Sequence, residues 1–205
     1  MNFWVVFLSF TAIAAMFISN YCFKRGMPFY LTRKIVHFFA AVPLLVSPLV
    51  FDQVYYPLSI GLVFLVLLVA THNTDLFPGF VKKGRLSEIF FPLSICISLV
   101  ALWSVDPWAA VVPGLWLALG DGVTGLVRMK VNKREEKGWW GSLACLGACT
   151  GVAFLVSRVC VGVLGGCVAT LAERFCGDAP GAIIKIDDNL AMPVAGLIPM
   201  VYLLL

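Results

Sequence analysis

Long apolar runs, almost free of charge inside, restrict this chain more than any motif does. Eight can be traced, at about 3 to 22, 35 to 51, 54 to 71, 89 to 104, 107 to 120, 139 to 157, 159 to 172 and 190 to 205. Crossing about 30 Å of hydrocarbon takes roughly 20 helical residues, and inside lipid every backbone amide needs a partner within the protein. The runs are continuous rather than alternating, which disfavours a β-barrel and predicts an all-α, polytopic transmembrane helical bundle of about eight spans. The fifth and seventh runs are short, so they are expected to tilt, break or re-enter. Only 13% of the 205 residues are charged and 61% are hydrophobic. A soluble domain carries about 25% charged residues, so this chain cannot coat itself in water, and the same composition excludes disorder, collagen and a secreted disulfide framework. A single integral membrane domain, 1–205, is expected, with function confined to the bundle and its short loops.

If each run crosses once, the cations sort by side. Lys24, Arg25, Arg33, Lys34, Lys82, Lys83, Arg85, Arg128, Lys130, Lys133, Arg134, Lys137, Arg174 and Lys185 fall on one face, leaving Arg158 alone of the fifteen on the other. Such a bias marks the cytoplasmic side, so the net charge of +4 reports topology and not nucleic-acid binding. The first run imitates a signal peptide at Ala12 and Ala14 but lacks a basic segment ahead of it, so it is expected to be a retained helix. The seven cysteines show no CxxC pair and are expected to be small buried hydrophobes, with a Cys145–Cys149 disulfide or palmitoylation as the minor alternative.

Ionisable residues at membrane spans cost about 2.5 to 3.5 kcal/mol each on insertion scales, so each needs a reason. They form four groups. Arg33, Lys34 and His37 enter the second run, with Arg33 and His37 four apart on one helical face. Taken alone, they read as an interfacial anchor. Gly120-Asp121-Gly122-Val-Thr124-Gly125 closes the fifth run; it lacks the βαβ context of a dinucleotide site, but its glycines allow close backbone approach to a phosphate, and Asp121 can hold Mg²⁺ or take a proton. A glycine hinge with a solvated Asp is the equal alternative. Lys133-Arg134-Glu-Glu-Lys137-Gly138-Trp139-Trp140-Gly141-Ser142 leads cations into a helix start, the chemistry of a polyphosphate cradle and equally that of a tryptophan belt at the lipid interface. Glu173, then Asp187-Asp188-Asn189, place carboxylates beside the last run, where a divalent cation or a helix cap would compensate their repulsion. There is no P-loop, GxSxG elbow or HExxH, and His37 and His72 are too few for a polyhistidine metal site.

In order along the chain these groups resemble the dolichol kinase and phytol kinase family of membrane enzymes, which phosphorylate lipid alcohols with CTP. Arg33-Lys34-Ile-Val-His37 looks like the family's RKxxH, Gly120-Asp121-Gly122 like its GDG, and Lys137-Gly-Trp-Trp-Gly141-Ser142 like its KSxxGS. Ala169-Thr170-Leu-Ala-Glu173 is similar to its ATxxE, and Asp187-Asp188-Asn189-Leu190 with Pro193 to its DDNxxxP. Five motifs in order on one predicted face make the likeness specific. The chain departs from the family at Gly125, where many relatives carry a second acidic residue, at Val127 ahead of Arg128, and at Gly138 in place of serine. It looks most like the shorter archaeal members, which implies a polyprenol such as dolichol as acceptor and a prokaryotic cell membrane rather than the endoplasmic reticulum.

The resemblance implies a division of labour. Asp121, Glu173, Asp187 and Asp188 become the candidates for Mg²⁺, with Asp121 as the alternative base. Arg33, Lys34, Arg128 and Lys137 would clamp phosphates; Gly120, Gly122, Gly141, Ser142 and Asn189 would shape the nucleotide cradle; His37 would orient the hydroxyl or a carboxylate. CTP, a long-chain isoprenoid alcohol and the bilayer are the implied partners, with oligomeric state open. A phytol, farnesol or diacylglycerol kinase, a cytidylyltransferase making a CDP-lipid, and a transporter using the short, glycine-broken spans are the rival readings.

Overall fold

The computed structural model describes residues 2–131, 136–156, 158–177 and 182–205; among these the secondary structure is helical apart from one isolated bridge between Cys176 and Ile184. The helices are α1 (Phe3–Lys24), α2 (Phe29–Val50), α3 (Tyr55–Thr71), α4 (Ser87–Leu102), α5 (Pro107–Val131), α6 (Trp139–Ala153), α7 (Val159–Phe175) and α8 (Asp188–Leu204). Their starts follow from local chemistry. The Asn2 side chain accepts from Trp4 N–H at 3.0 Å to cap α1, and Asp106 accepts from Trp108 and Ala109 N–H at 2.9 and 3.3 Å ahead of Pro107 at the first position of α5. Gly26, at φ 91°, takes the left-handed turn that separates α1 from α2.

Helices α1, α2 and α5 are long and apolar enough to cross a membrane, consistent with a membrane protein; α3, α4 and α8 are shorter apolar helices. The outer surface is apolar as well, with Phe10, Phe17, Leu49, Val66, Val100, Leu171 and Ile198 exposed, while Ser94, Ser98, Thr124, Thr170 and Glu173 are buried. Polar groups inside and large hydrophobes outside reverse the arrangement of a soluble domain.

The expectation of a short fifth span is corrected. Helix α5 does not stop at residue 120 but runs on to Val131, and its middle, Trp116–Asp121, is a π-helix. The sequence hides such a segment, because wider winding leaves no mark in the apolar Trp116–Leu119 stretch that opens it. The seventh run, in contrast, is a 17-residue helix extending to Phe175. The cysteine expectation is corrected in part: all seven are free, Cys96, Cys145, Cys149 and Cys176 are buried, but Cys160 is exposed and Cys22 and Cys167 are half-buried. Lys133, Arg134 and the predicted end of the sixth run at 157 lie outside the described residues.

Hydrogen bonds tie the connections together at two ends. At one, Ser19 Oγ donates to the Thr32 and Gly79 carbonyls at 2.9 and 3.1 Å, Thr32 Oγ1 donates to the Gly79 carbonyl at 2.5 Å, and Asn189 Nδ2 donates to the Ser87 carbonyl at 2.8 Å. At the other, Trp103 Nε1 donates to the Asp52 carbonyl at 3.3 Å and Arg158 Nη1 to the Leu203 carbonyl at 3.0 Å. Between them Trp116 forms the largest fully buried side chain, its Nε1 donating to the Cys149 carbonyl at 3.1 Å.

Helices α7 and α8 close on Trp116 through Gly165 and Gly196. A methyl group at either would lie 2.5 Å from the indole and 2.8 Å from the other glycine's carbonyl oxygen. Small residues let the helix backbones approach in this way in membrane bundles. Gly165→Ala and Gly196→Ala are each expected to lower the thermal midpoint in detergent, at a cost of about 1–3 kcal/mol typical of overpacked cores. Fluorescence-detected gel filtration after heating checks this, with Gly147→Ala, where nothing lies within 4 Å, as the neutral comparison.

Candidate functional site

The end of the bundle holding the starts of α2, α4, α6 and α8 gathers three interlocked polar clusters. In the first, Asp121 closes the π-helical segment and receives Lys34 Nζ at 2.5 Å, with His37 Nδ1 3.2 Å from the same oxygen. The Lys34 ammonium lies 5.1 Å from the centre of the Tyr30 ring, and the His37 ring packs on Phe91 at 4.6 Å. Lys34 and His37 are one turn apart on α2, so a single carboxylate on the facing helix meets both. All three side chains are buried.

The second cluster is built on Glu173, near the end of α7 and 0% exposed. Its Oε1 accepts from Arg128 Nη2 at 2.6 Å and from Lys137 Nζ at 3.3 Å, while Lys137 also donates to the Glu173 backbone carbonyl and reaches Asp188 Oδ2 at 3.1 Å. Thr124 Oγ1, one turn before Arg128, donates to the Gly120 and Gly141 carbonyls at 2.7 and 3.3 Å and pins α5 to the start of α6. Gly141 has its own purpose here: a methyl group there would lie 2.8 Å from Arg128 Nε, so only glycine lets the guanidinium lie flat across α6. Arg174 Nη1 donates to the Lys137 carbonyl at 3.1 Å and its guanidinium stacks over Trp139 at 5.6 Å.

Asp187 opens the third cluster as the cap of α8, its Oδ1 accepting from Asn189 N–H at 2.9 Å. Asn189 Nδ2 donates in turn to Ser87 Oγ at 2.9 Å, and Ser87 Oγ also accepts from Arg33 Nη2 at 3.2 Å. Burial, with the Asp188 charge beside it, pushes the Asp187 carboxyl above the usual aspartate value. Glu88 completes this cluster. It is 1% exposed, Arg33 Nε is 3.6 Å from its Oε1, and neither carboxylate oxygen has a hydrogen bond.

Glu88 escaped the sequence reading because it stands one residue outside the run that began at 89, where an acidic first turn is ordinary helix chemistry. The only signal was its position directly ahead of an uninterrupted apolar stretch. A buried carboxylate without hydrogen bonds opposes folding. Glu88→Gln is therefore expected to raise the thermal midpoint by a few degrees, measured by tryptophan fluorescence in detergent, since Arg33 retains the Ser87 hydroxyl and partial exposure.

The structure thus brings Arg33, Lys34, His37, Asp121, Arg128, Lys137, Gly141, Glu173, Asp187, Asp188 and Asn189 to one end. Other residues depart from expectation. Gly120 and Gly122 do not open a loop cradle, because they sit inside continuous α5 with their Cα hydrogens against Cys149 and Met192, and against Phe38. Ser142 Oγ donates to the Gly138 carbonyl at 3.4 Å within its own helix. The four carboxylates named for a cation do not converge: Asp121 belongs to Lys34, Glu173 and Asp188 share Lys137, and Asp187 caps α8. Among the described residues, no three His, Cys, Asp or Glu side chains come together as a metal centre.

Fold and surface define an all-helical protein with three helices long and apolar enough to span a membrane, and with paired charges buried at one end. The chain matches no family model, no curated protein and no solved structure.

Proposed function

We propose that this protein is a multi-pass membrane enzyme that transfers the γ-phosphate of CTP to the hydroxyl of a long-chain isoprenoid alcohol, its site at the cytoplasmic end of an eight-span bundle in a prokaryotic cell membrane. One observation carries the reading. Five short segments far apart in sequence, containing Arg33, Asp121, Lys137, Glu173 and Asp188, join through side-chain contacts at a single end of the helices. Structural anchoring needs no such convergence of both signs of charge in a buried place, whereas phosphoryl transfer needs cations for the triphosphate beside a carboxylate for the acceptor's proton. Transport would favour ionisable groups near the middle of the helices; the Arg128–Glu173 and Lys137–Asp188 pairs sit at helix ends, while the Lys34–Asp121 pair, at the middle of α5, is a feature that transport would share.

The present pairing is a resting state in which cations and carboxylates neutralise one another. Triphosphate oxygens would take Arg128, Lys137 and Arg33 from their carboxylates, exchanging one set of charge-assisted hydrogen bonds for another. His37 would orient the acceptor hydroxyl, Asp121 would take its proton, and the hydroxyl oxygen would bond to the γ-phosphorus as the bond to the β-phosphate oxygen breaks, releasing CDP. Glu173 and Asp188 would hold Mg²⁺ once Lys137, which now bridges them, has turned to the triphosphate; Glu173 Oε2, buried without a hydrogen bond, is the donor left open for it, and this ion is usually held by one or two carboxylates plus phosphates. When bound, it supplies charge neutralisation of the triphosphate.

The test is a transfer assay on purified protein with [γ-³²P]CTP or ATP, Mg²⁺, and dolichol, geranylgeraniol or diacylglycerol. Label moving from CTP into an extractable isoprenoid phosphate is the expected result. Label moving into phosphatidate instead would make it a diacylglycerol kinase. Pyrophosphate release with a CDP-lipid product would overturn the kinase in favour of a cytidylyltransferase, and no turnover in monodisperse protein would remove both.

A further inference from the structure

An apolar cavity lies between α2, α3 and α4, closed on one side by Ala12 of α1. Its origin is in the sequence. Pro43 and Pro92 each remove a backbone hydrogen bond inside α2 and α4, and the small Ala40 side chain leaves room beside them. The polar side chain in its wall, Ser47, donates through Oγ to the Pro43 carbonyl at 2.6 Å and so is satisfied within its own helix. A cavity of this kind excludes water and favours apolar occupants.

Its position relative to the polar site is the second observation. Along α2 the lining runs from Val36 to Ser47, roughly 16 Å at 1.5 Å per residue. The Val36 end adjoins the candidate site: Phe91 forms the wall there, and the same ring packs on His37 at 4.6 Å, with His37 Nδ1 3.2 Å from Asp121. One end of the cavity therefore lies at the Phe91 ring, the neighbour of His37, and from there the cavity runs into the apolar middle of the helices.

We propose that this cavity seats the hydrocarbon chain next to the hydroxyl of the lipid alcohol, holding it along α2 with the hydroxyl at His37 and Asp121. The identity of the head group rests on the kinase reading; the seat for an alkyl or isoprenoid chain does not. An unbranched acyl chain of a membrane phospholipid shares the same chemistry, and the experiment separates the two sources.

The purified full-length protein is photolabelled with a geranylgeraniol analogue carrying a diazirine in its second isoprene unit, and the adducts are mapped by mass spectrometry. Adducts on Ile60, Phe64 and Ile95, competed at least tenfold by unlabelled geranylgeraniol but not by equal phosphatidylcholine, are expected. Ala40→Phe, which narrows the cavity, is expected to reduce that labelling at least tenfold and to raise KM for geranylgeraniol; Val66→Phe on the exposed face of α3 is expected to change neither. Should Ala40→Phe aggregate, Ile60→Trp narrows the same space from α3. Adducts confined to outward-facing Leu62 and Val66 would overturn the proposal, as would equal competition by phosphatidylcholine. Cavity labelling without transfer from any nucleotide would leave the seat standing and sink the kinase reading, so the two failures are distinguishable.

Discussion

Asp121→Asn is expected to lower the proposed phosphoryl transfer at least a hundredfold while costing measurable stability. The substitution keeps shape and volume but removes the charge that receives Lys34 at 2.5 Å and faces His37 at 3.2 Å. A general base typically contributes 10²–10⁴-fold in rate, so at least a hundredfold fall in initial rate follows from that role alone. Lys34 is left buried without a counter-charge, and breaking a buried pair in this way costs about 3–5 kcal/mol. Asp121→Asn combined with Lys34→Met is expected to recover most of the thermal midpoint without recovering activity. Recovery of both by the double variant would show that Asp121 only neutralises Lys34 and takes no proton.

The second large effect is expected at Glu173. Its carboxylate is fully buried between Arg128 and Lys137, so Glu173→Ala strands the buried Arg128, leaves Lys137 with Asp188, and should cost about 3–5 kcal/mol, seen as loss of monodisperse protein after mild heating. Arg128→Lys is not a conservative change here. A lysine cannot reproduce the planar guanidinium that lies across Gly141 while its Nη2 reaches Glu173 at 2.6 Å, so transfer should fall at least tenfold even if the protein stays folded. A double-mutant cycle between residues 128 and 173 should return a coupling well above the roughly 1 kcal/mol of exposed pairs. Additivity within error would mean that the two groups do not depend on each other in the folded protein.

What could be read from the residues, and what could not, divides along physical lines. Continuous apolar runs announced helices, and the Asp187-Asp188 pair ahead of the last run announced a candidate cap for α8, because both signals are local. The candidate site was legible as isolated polar groups at run ends, since a charge beside hydrocarbon is conspicuous wherever it occurs. Pairing was not legible. Nothing local ties Lys34 to Asp121 or Arg128 to Glu173, contacts across 87 and 45 residues that only the packing of α2 on α5 and α5 on α7 creates. For the same reason four carboxylates that look alike in sequence separate into different environments, and Glu88, unremarkable beside Arg85 and Ser87, becomes one of the most deeply buried acids.

The π-helical segment of α5 works as a phase adjuster between two halves of one rod. At its first residue Trp116 must meet Cys149, Gly165 and Gly196; downstream, Thr124 and Arg128 must meet Gly141 and Glu173. Ordinary winding advances each residue by about 100°, so an α-helix of the same sequence would leave one set of contacts turned away by about that angle. Removing a single residue, Ala118, would let the segment wind as an ordinary α-helix with the contacts on either side still in phase, because the lost residue and the lost extra width cancel. Wider winding is what lets that stretch carry one more residue and still keep the two ends of the rod in register.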